Sequence, residues 1–335
     1  MPGVQTTAPL VPVPSPVYPY SVTVIVPVYN GSRTIRDCID ALLNQDYPRL
    51  QYEIVVVDNN STDTTAQLVA DYPDVRLLRQ IEVQSSYAAR NMGAAQAKGE
   101  ILAFTDADCI PAPDWLSKLL NPFEDPQVLA TGGVVKDAKA ANLVETFLGE
   151  ESSLSRYQHA PGQFLSPLIT ANAALRKKEF DTLAGFNDRL YTGADIDLAW
   201  RLQLKSGDCI RYAPEAVVCH QHRSNLKSMF RQYRRHGFGE IFLDAIYQQY
   251  PGYPRTLRYQ VKNIGRQMWA LVVYLRSFVY RLLKYFFRPD RYYLLQPLFR
   301  FVAESGNLWG KLQGLWATRA LRLNPALRQW QDPGG

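Results

Sequence analysis

The stretch Gly99-Glu-Ile-Leu-Ala-Phe-Thr-Asp-Ala-Asp-Cys-Ile-Pro-Ala-Pro-Asp-Trp115 decides how the chain is read. Ile101 to Thr105 is apolar, free of proline and entered from a Lys98-Gly99 turn, the pattern of a short buried strand. It runs into Asp106-Ala107-Asp108 and then a proline-broken loop. Side chains alternate along an extended chain, so two acids one residue apart point the same way. Open α/β sheets take ligands at the carboxyl ends of their strands. A pair of acids there suits a hard divalent cation, Mn2+ or Mg2+, and such cations bring substrate phosphates with them. Asp-x-Asp alone also fits a plain acidic turn, so its neighbours in the chain carry the decision.

Upstream, Val22 to Val28 reads as a buried strand ending at Tyr29-Asn30-Gly31-Ser32, followed by a helix from Thr34 to about Gln45. Glu53 to Asp58 is a second strand with an acid at its carboxyl end. Asn59-Asn60-Ser61 turns the chain, and Ser61 or Thr62 is expected to cap a helix through about Ala70. Val75 to Leu78 is a third strand, and Ser85 to Ala97 a helix of small residues. Strand and helix alternating at this spacing predict a doubly wound, mostly parallel α/β sheet. Tyr29, Asn30, Asp58, Asn60, Asp106 and Asp108 then all fall on one rim. No GxGxxG follows the first strand and no GxxxxGK[ST] occurs anywhere, which excludes a dinucleotide oxidoreductase and a P-loop NTPase. Phosphate must be held by metal and by single basic side chains, for which Arg90, followed by Asn91, is the candidate.

Downstream, strands are expected over Val128–Val135 and Leu168–Arg176, and a helix from Ala141 to about Tyr157. A helix starting near Ala194 puts Asp195 in its first turn, where the helix dipole stabilises a carboxylate. Asp197, Arg201 and Lys205 read as its solvated face. Val217 to His222 reads as a last strand carrying two histidines, and a neutral imidazole at His220 could share a metal with the acids.

The chain has 335 residues, is 47% hydrophobic and carries a net charge of +6, enough for a sizeable core and too little charge, unless clustered, for a nucleic-acid protein. Its four cysteines are scattered and read as reduced thiols of a cytoplasmic protein. Residues 1–20 read as a disordered Pro-rich lead-in, and no apolar run is long enough for an ordinary transmembrane helix.

Val24-Ile-Val-Pro-Val-Tyr-Asn-Gly31, Val57-Asp-Asn-Asn-Ser-Thr-Asp63, Ala89-Arg-Asn-Met-Gly93, Phe104-Thr-Asp-Ala-Asp108 and Gly193-Ala-Asp-Ile-Asp-Leu198 together resemble glycosyltransferase family 2, of the GT-A fold, over about residues 21–225. The resemblance implies inverting transfer from a nucleotide-sugar, a UDP-sugar first, to a lipid-linked or glycan acceptor of the cell envelope. It implies that Pro27, Tyr29 and Asp58 cradle the nucleoside and that Arg90 faces the diphosphate. Asp106 would meet the ribose, Asp108 the metal, and Asp195 would be the general base. Two departures stand out: Ala194 replaces the family's acid before the base, and Gln232-Tyr-Arg-Arg-His236 lacks the Trp of processive synthases, which points to a non-processive enzyme.

Residues 226–335 read as a separate helical, basic-amphipathic region. At 100° per residue, Arg255, Arg258, Lys262, Arg266, Arg276, Arg281, Lys284 and Arg288 fall within roughly 140° of one helix, opposite Leu271, Leu275, Phe278, Leu282, Tyr285 and Phe286. That pattern suits a helix lying on an anionic membrane, so the protein is expected peripherally on the inner face of the cell membrane; nucleic acid is not an expected partner. Two other functions compete. A nucleotidyltransferase would carry a Gly-rich basic phosphate loop where Tyr29-Asn30-Gly31-Ser32 stands, and a silent sugar-nucleotide binding protein would not need Asp106, Asp108 and Asp195 together.

Overall fold

A computed structural model describes residues 20–151, 164–188, 190, 192–285 and 289–323. All but one residue of the expected lead-in, the end of the helix expected to reach Tyr157, and Phe286 and Arg288 lie outside these residues. The strands are β1 (Val22–Val28), β2 (Tyr52–Asp58), β3 (Val75–Arg79), β4 (Ile101–Thr105), β5 (Cys109–Pro111), β6 (Ala130–Asp137), β7 (Asn172–Arg176) and β8 (Ile210–His220). Between them run the helices α1 (Ile35–Leu43), α2 (Thr65–Ala70), α3 (Ser86–Ala95), α4 (Trp115–Leu120), α5 (Leu143–Glu151), α6 (Lys177–Thr182) and α7 (Ala194–Ser206). Three long helices close the chain: α8 (Leu226–Tyr247), α9 (Leu257–Lys284) and α10 (Arg291–Leu323).

The strands form one eight-stranded sheet in the order β3-β2-β1-β4-β7-β6-β8-β5. β1 pairs in parallel with β2 and β4, β2 with β3, and β6 with β8, whereas β7 runs antiparallel to β4 and β6. The α/β, mostly parallel sheet expected from the alternation is what forms. β1 and β4 are buried along their whole length, as strands covered by helices on both faces must be. One core layer packs α1 and α4 on the sheet, and the other packs α3 and α7 on its opposite face.

The expected boundaries hold for β1 and β4 and shift elsewhere for local reasons. α2 starts at Thr65, not at Ser61 or Thr62, because the Ser61 N–H is drawn to Asp58 Oδ1 at 3.1 Å and Asp63 accepts from Thr65 N–H at 3.0 Å. β7 starts at Asn172 rather than Leu168. β8 starts at Ile210, seven residues before the strand expected at Val217, and ends at His220, leaving His222 beyond it. Its Pro214 has no N–H to give a ladder; the register skips from Gly133–Ala213 to Val134–Val217. The buried Asn172 amide plugs this irregularity, donating to Val134 and Ala216 carbonyls at 2.9 Å and accepting from Trp115 Nε1–H at 2.8 Å.

The long helix expected over 255–288 begins at Leu257, because Thr256 caps it through Tyr259 N–H, and Arg255 turns away to the buried Asp244. The apolar set opposite the basic arc divides in two. Leu271 and Phe278 are half-buried, whereas Leu275 and Leu282 join Val261, Met268, Trp269, Val272, Val279 and Leu283 on an exposed surface. Arg281 leaves the basic arc to lie over the Tyr293 ring. Beneath, α8 and α10 approach backbone to backbone. Gly306, Gly310 and Gly314 repeat every fourth residue on α10, and a Cβ at Gly310 would stand 1.9 Å from the Arg234 carbonyl.

Gly310→Ala should therefore lower stability by roughly 1–3 kcal/mol, the usual cost of overpacking. Gly265→Ala, on exposed α9 with nothing within 4 Å, should raise it by up to about 1 kcal/mol through helix propensity. Denaturant unfolding of the two variants checks the contrast; equal midpoints would contradict the close approach of α8 and α10.

Candidate active site

The carboxyl ends of β1, β2 and β4 make one rim, and crossed hydrogen bonds lock its loops. Asn30 sits in the left-handed region at φ 50°, with its N–H on Ser61 Oγ at 2.9 Å and its Oδ1 accepting from Thr62 N–H at 2.8 Å. The loop after β1 is thereby tied to the loop after β2. Pro27 is buried within β1 opposite Val57, Tyr29 is half exposed, Asp58 is buried and Asn60 is exposed at φ 64°. Gln80, unnoticed in the sequence, closes the far side: its N–H donates to the Asp58 carbonyl at 2.8 Å.

At the end of β4 each acid of the pair meets a cation. Arg90, only 3% exposed, hydrogen-bonds Asp106 through Nη2 and lies 5.5 Å from the Tyr87 ring. Asp108 holds Arg223 Nη1 at 3.2 Å on one oxygen and His220 Nε2 at 3.6 Å from the other. Arg223 could not be singled out from the sequence, because it lies in the turn after β8 and no local motif marks it. Asn91 does not join the group. Its amide donates to the Phe186 carbonyl at 2.8 Å and accepts from Phe186 N–H at 2.9 Å, so both ends are spent on holding that loop.

Asp106, Asp108 and Cys109 offer ligand atoms within 4.8 Å of one another. Burial, with the charges of Asp108 and Asp106, holds the Cys109 thiol well above its ordinary value, so it is a protonated, soft and poor partner for a hard ion. The two carboxylates are the hard-oxygen part of this group and suit Mn2+ or Mg2+; His220 Nε2, 3.6 Å from Asp108, stands beside them and is not one of the trio. His222, ring to ring with His220 at 4.9 Å, is instead held by Asp137 at 2.7 Å, and burial lowers its pKa.

Asp195 reaches the same region from the opposite half of the sheet. Gly193, left-handed at φ 84°, turns the chain into α7 where a Cβ would meet Leu243 at 2.9 Å. The Tyr87 hydroxyl accepts from Gly193 N–H and donates to Asp195 Oδ1, both at 3.1 Å. Thr170 N–H reaches Oδ2 at 3.3 Å. Burial pushes the Asp195 carboxyl above its ordinary 3.8, with the nearby Arg90 charge and these hydrogen bonds pulling back. Asp197 is not on a solvated face: it is buried, paired with Arg201 at 2.8 Å and bonded by the Tyr247 hydroxyl at 2.9 Å.

The profile of glycosyl transferase family 2 matches residues 23–183. The glycosyltransferase AglE of Haloferax volcanii is 31% identical over 239 residues, 67% of this chain and 75% of that protein. The pre-mycofactocin glycosyltransferase of Mycobacterium tuberculosis is 30% identical over 213 residues, 62% of this chain but only 44% of its own length. Among solved structures, the mannosyltransferase PcManGT of Pyrobaculum calidifontis, in complex with GDP-Man and Mn2+, superposes with a TM-score of 0.54 at 25% identity, covering 88% of each chain. The sheet is thus that of the GT-A fold, as the sequence motifs implied.

A carboxyl whose native pKa is raised binds its proton more tightly folded than unfolded. Its contribution therefore favours the fold at low pH and is lost as pH rises from about 3.8 through the raised native value. The melting temperature of the wild type relative to Asp195→Asn should fall across that interval. A difference between the two proteins that does not change with pH would contradict the burial of this charge.

Proposed function

The chain belongs to glycosyl transferase family 2, and we propose that it transfers a sugar, with inversion, from a nucleoside-diphosphate sugar to an acceptor hydroxyl in a metal-dependent reaction. The observation that carries this is convergence: Arg90 and Tyr87 link Asp106, at the end of β4, to Asp195 from α7, and Asp108 stands beside Asp106. Asp58, Tyr29 and Pro27 would receive the nucleoside, with Asn30 and Asn60 shaping the loops around it. Asp106, fixed by Arg90, would face the ribose. Asp108, with His220 beside it, would hold the cation, whose role when bound is to neutralise the leaving diphosphate as a Lewis acid. Arg90 and Arg223 place two further positive charges at the same end. As bonding at the anomeric carbon loosens toward an oxocarbenium-like state, the acceptor hydroxyl approaches from the other face and gives its proton to Asp195. A raised pKa makes Asp195 a better proton acceptor, and Tyr87 and Thr170 keep its oxygens in place. UDP-sugars are the first donors to try; PcManGT, solved in complex with GDP-Man, adds GDP-sugars.

The acceptor in this reading is a lipid-linked or glycan molecule of the cell envelope, met at the cytoplasmic face of an anionic membrane. No helix among the described residues is long and apolar enough to cross a membrane. What supports peripheral contact is the outer surface of α9, where Met268, Val272, Leu275, Val279 and Leu283 are exposed alongside Arg258, Lys262, Arg266, Arg276 and Lys284. Trp309, Leu312 and Trp316 on α10 are exposed as well.

Three measurements test the proposal. Asp108→Ala should abolish Mn2+-dependent binding of nucleoside diphosphates in calorimetry. Asp195→Asn should keep that binding while turnover falls by about two to four orders of magnitude, the range for a lost general base. Metal-dependent affinity unaltered in the first variant, or turnover near wild type in the second, defeats the corresponding role. In liposome co-sedimentation, binding should rise with anionic lipid, weaken with salt and drop when Arg266, Arg276 and Lys284 become Glu, each charge contributing about 1 kcal/mol. Indifference to anionic liposomes at low salt would leave α9 as a packing helix only.

A further inference from the structure

Behind Asp195 a cavity of about 630 Å3 opens between the catalytic rim and the C-terminal helices. That volume lies within the roughly 300–1,000 Å3 usual for a bound small molecule. Its two sides differ in chemistry. One is a continuous apolar and aromatic wall, in which Phe164, Leu165, Ile196, Trp200, Leu243 and Tyr253 belong to a single packed cluster. The other is polar: His220, Gln232, His236, Glu240 and Asn307 come from β8, α8 and α10. Gln232 Oε1 and His220 Nδ1 are buried with no hydrogen-bond partner among the described residues, and Gln232 and His220 contribute other parts of their side chains to this lining. His236 lines the cavity, and loss of surrounding water lowers its pKa.

The cavity reaches Pro254 and Arg255, the residues that lead directly into α9 and its exposed apolar surface. Tyr87, His220 and His222 also line the cavity, so it opens onto the β4 acids, and its apolar wall is the part a donor sugar-nucleotide would not use. A wholly hydrophilic acceptor would leave that wall wet.

We propose that this cavity is the acceptor site and that it takes an amphiphile, with its hydroxyl-bearing polar head between Asp195 and the Gln232–His236 side and its apolar chain along the Phe164–Trp200–Tyr253 wall, pointing toward α9. The inference rests on Asp195 being the base, and it adds the chemical class of the acceptor and the residues that select it. The contact is non-covalent, so specificity comes from methylenes leaving water along that wall.

The test uses the full chain and two probes, octyl β-D-glucopyranoside below its micellar concentration and methyl β-D-glucopyranoside, titrated by calorimetry with nucleoside diphosphate and Mn2+ present. The octyl glycoside should bind with 1:1 stoichiometry at least about tenfold more tightly than the methyl glycoside, since each buried methylene favours binding. Leu165→Glu, which puts a charge on the wall, and Ile196→Trp, which fills it, should each remove that advantage. The double change Trp269→Ser with Leu283→Ser, on the outside of α9, should leave it intact. Equal binding of both glycosides, binding of neither, or loss only in the α9 variant would overturn the inference. Nucleoside diphosphate affinity, measured in the same samples, separates the cases. If it persists in the cavity variants, they are folded and the donor site stands whatever the glycosides do; if the wild type lacks it, the proposed transferase activity fails by itself.

Discussion

The burial of β4 is the constraint on which the rest depends. Its five residues are covered on both faces, with β1 parallel on one edge and β7 antiparallel on the other. A strand so placed can release its chain only at its end, and the first residues free of the sheet are Asp106, Ala107 and Asp108. The parallel edge brings the ends of β1 and β2 to the same rim. The antiparallel edge makes β7 begin there, with Thr105 opposite Asn172 and Thr105 Oγ1 donating to the Ala171 carbonyl. Thr170, just before, is thereby placed to hold Asp195. One buried strand thus gathers the rim of β1, β2 and β4 and the Asp195 side of the site.

One buried ring, that of Tyr87, then carries the electrostatics. The Tyr87 hydroxyl binds Asp195 and its ring lies against Arg90, which itself holds Asp106. A charge change at the donor acids is therefore felt at Asp195 through a single buried guanidinium, in surroundings where charges are weakly screened. Burial raises the Asp195 pKa and Arg90 resists that rise, the balance that the proposed base would need: ionised, yet avid for a proton. The metal-side acids are balanced differently. Asp108 stands between Arg223 and His220 with neither contact tight, a carboxylate whose present partners can be exchanged.

The C-terminal helices do more than decorate this sheet. α8 supplies the polar side of the cavity, and Leu243 and Tyr247 on the same helix pack against Trp200 on α7. α10 comes close to α8 because Gly306, Gly310 and Gly314 present no side chain where the backbones meet. At the polar end of that crossing, buried Lys311 pairs with Glu240 at 3.0 Å, and Gln267 from α9 donates to Asn307 at 2.8 Å. A buried polar seam of this kind fixes the register of the three helices, since slipping by one turn would strand each charge.

Much of the site was legible in the sequence because strands and their ends obey local rules. A period of two, an apolar run and an acid at the exit are written in consecutive residues, and so β1, β2, β4, the rim residues Tyr29, Asn30, Asp58 and Asn60, and the pair Asp106 and Asp108 could be read directly. Asp195 was accessible through its place at a helix start. What no local pattern contained was the partner of each charge. Arg90, expected to point at phosphate, is bonded to Asp106; Asn91 serves a loop; Asp197 is buried with Arg201; Arg223 and Tyr87, silent in the sequence, touch Asp108 and Asp195. Which half of the α9 apolar residues faces water, and that a cavity lies behind Asp195, were likewise decided only when α8 and α10 packed. Periodicity is set by neighbours in the chain, whereas charge pairing and burial are set by residues a hundred positions apart, and only the folded chain brings those together.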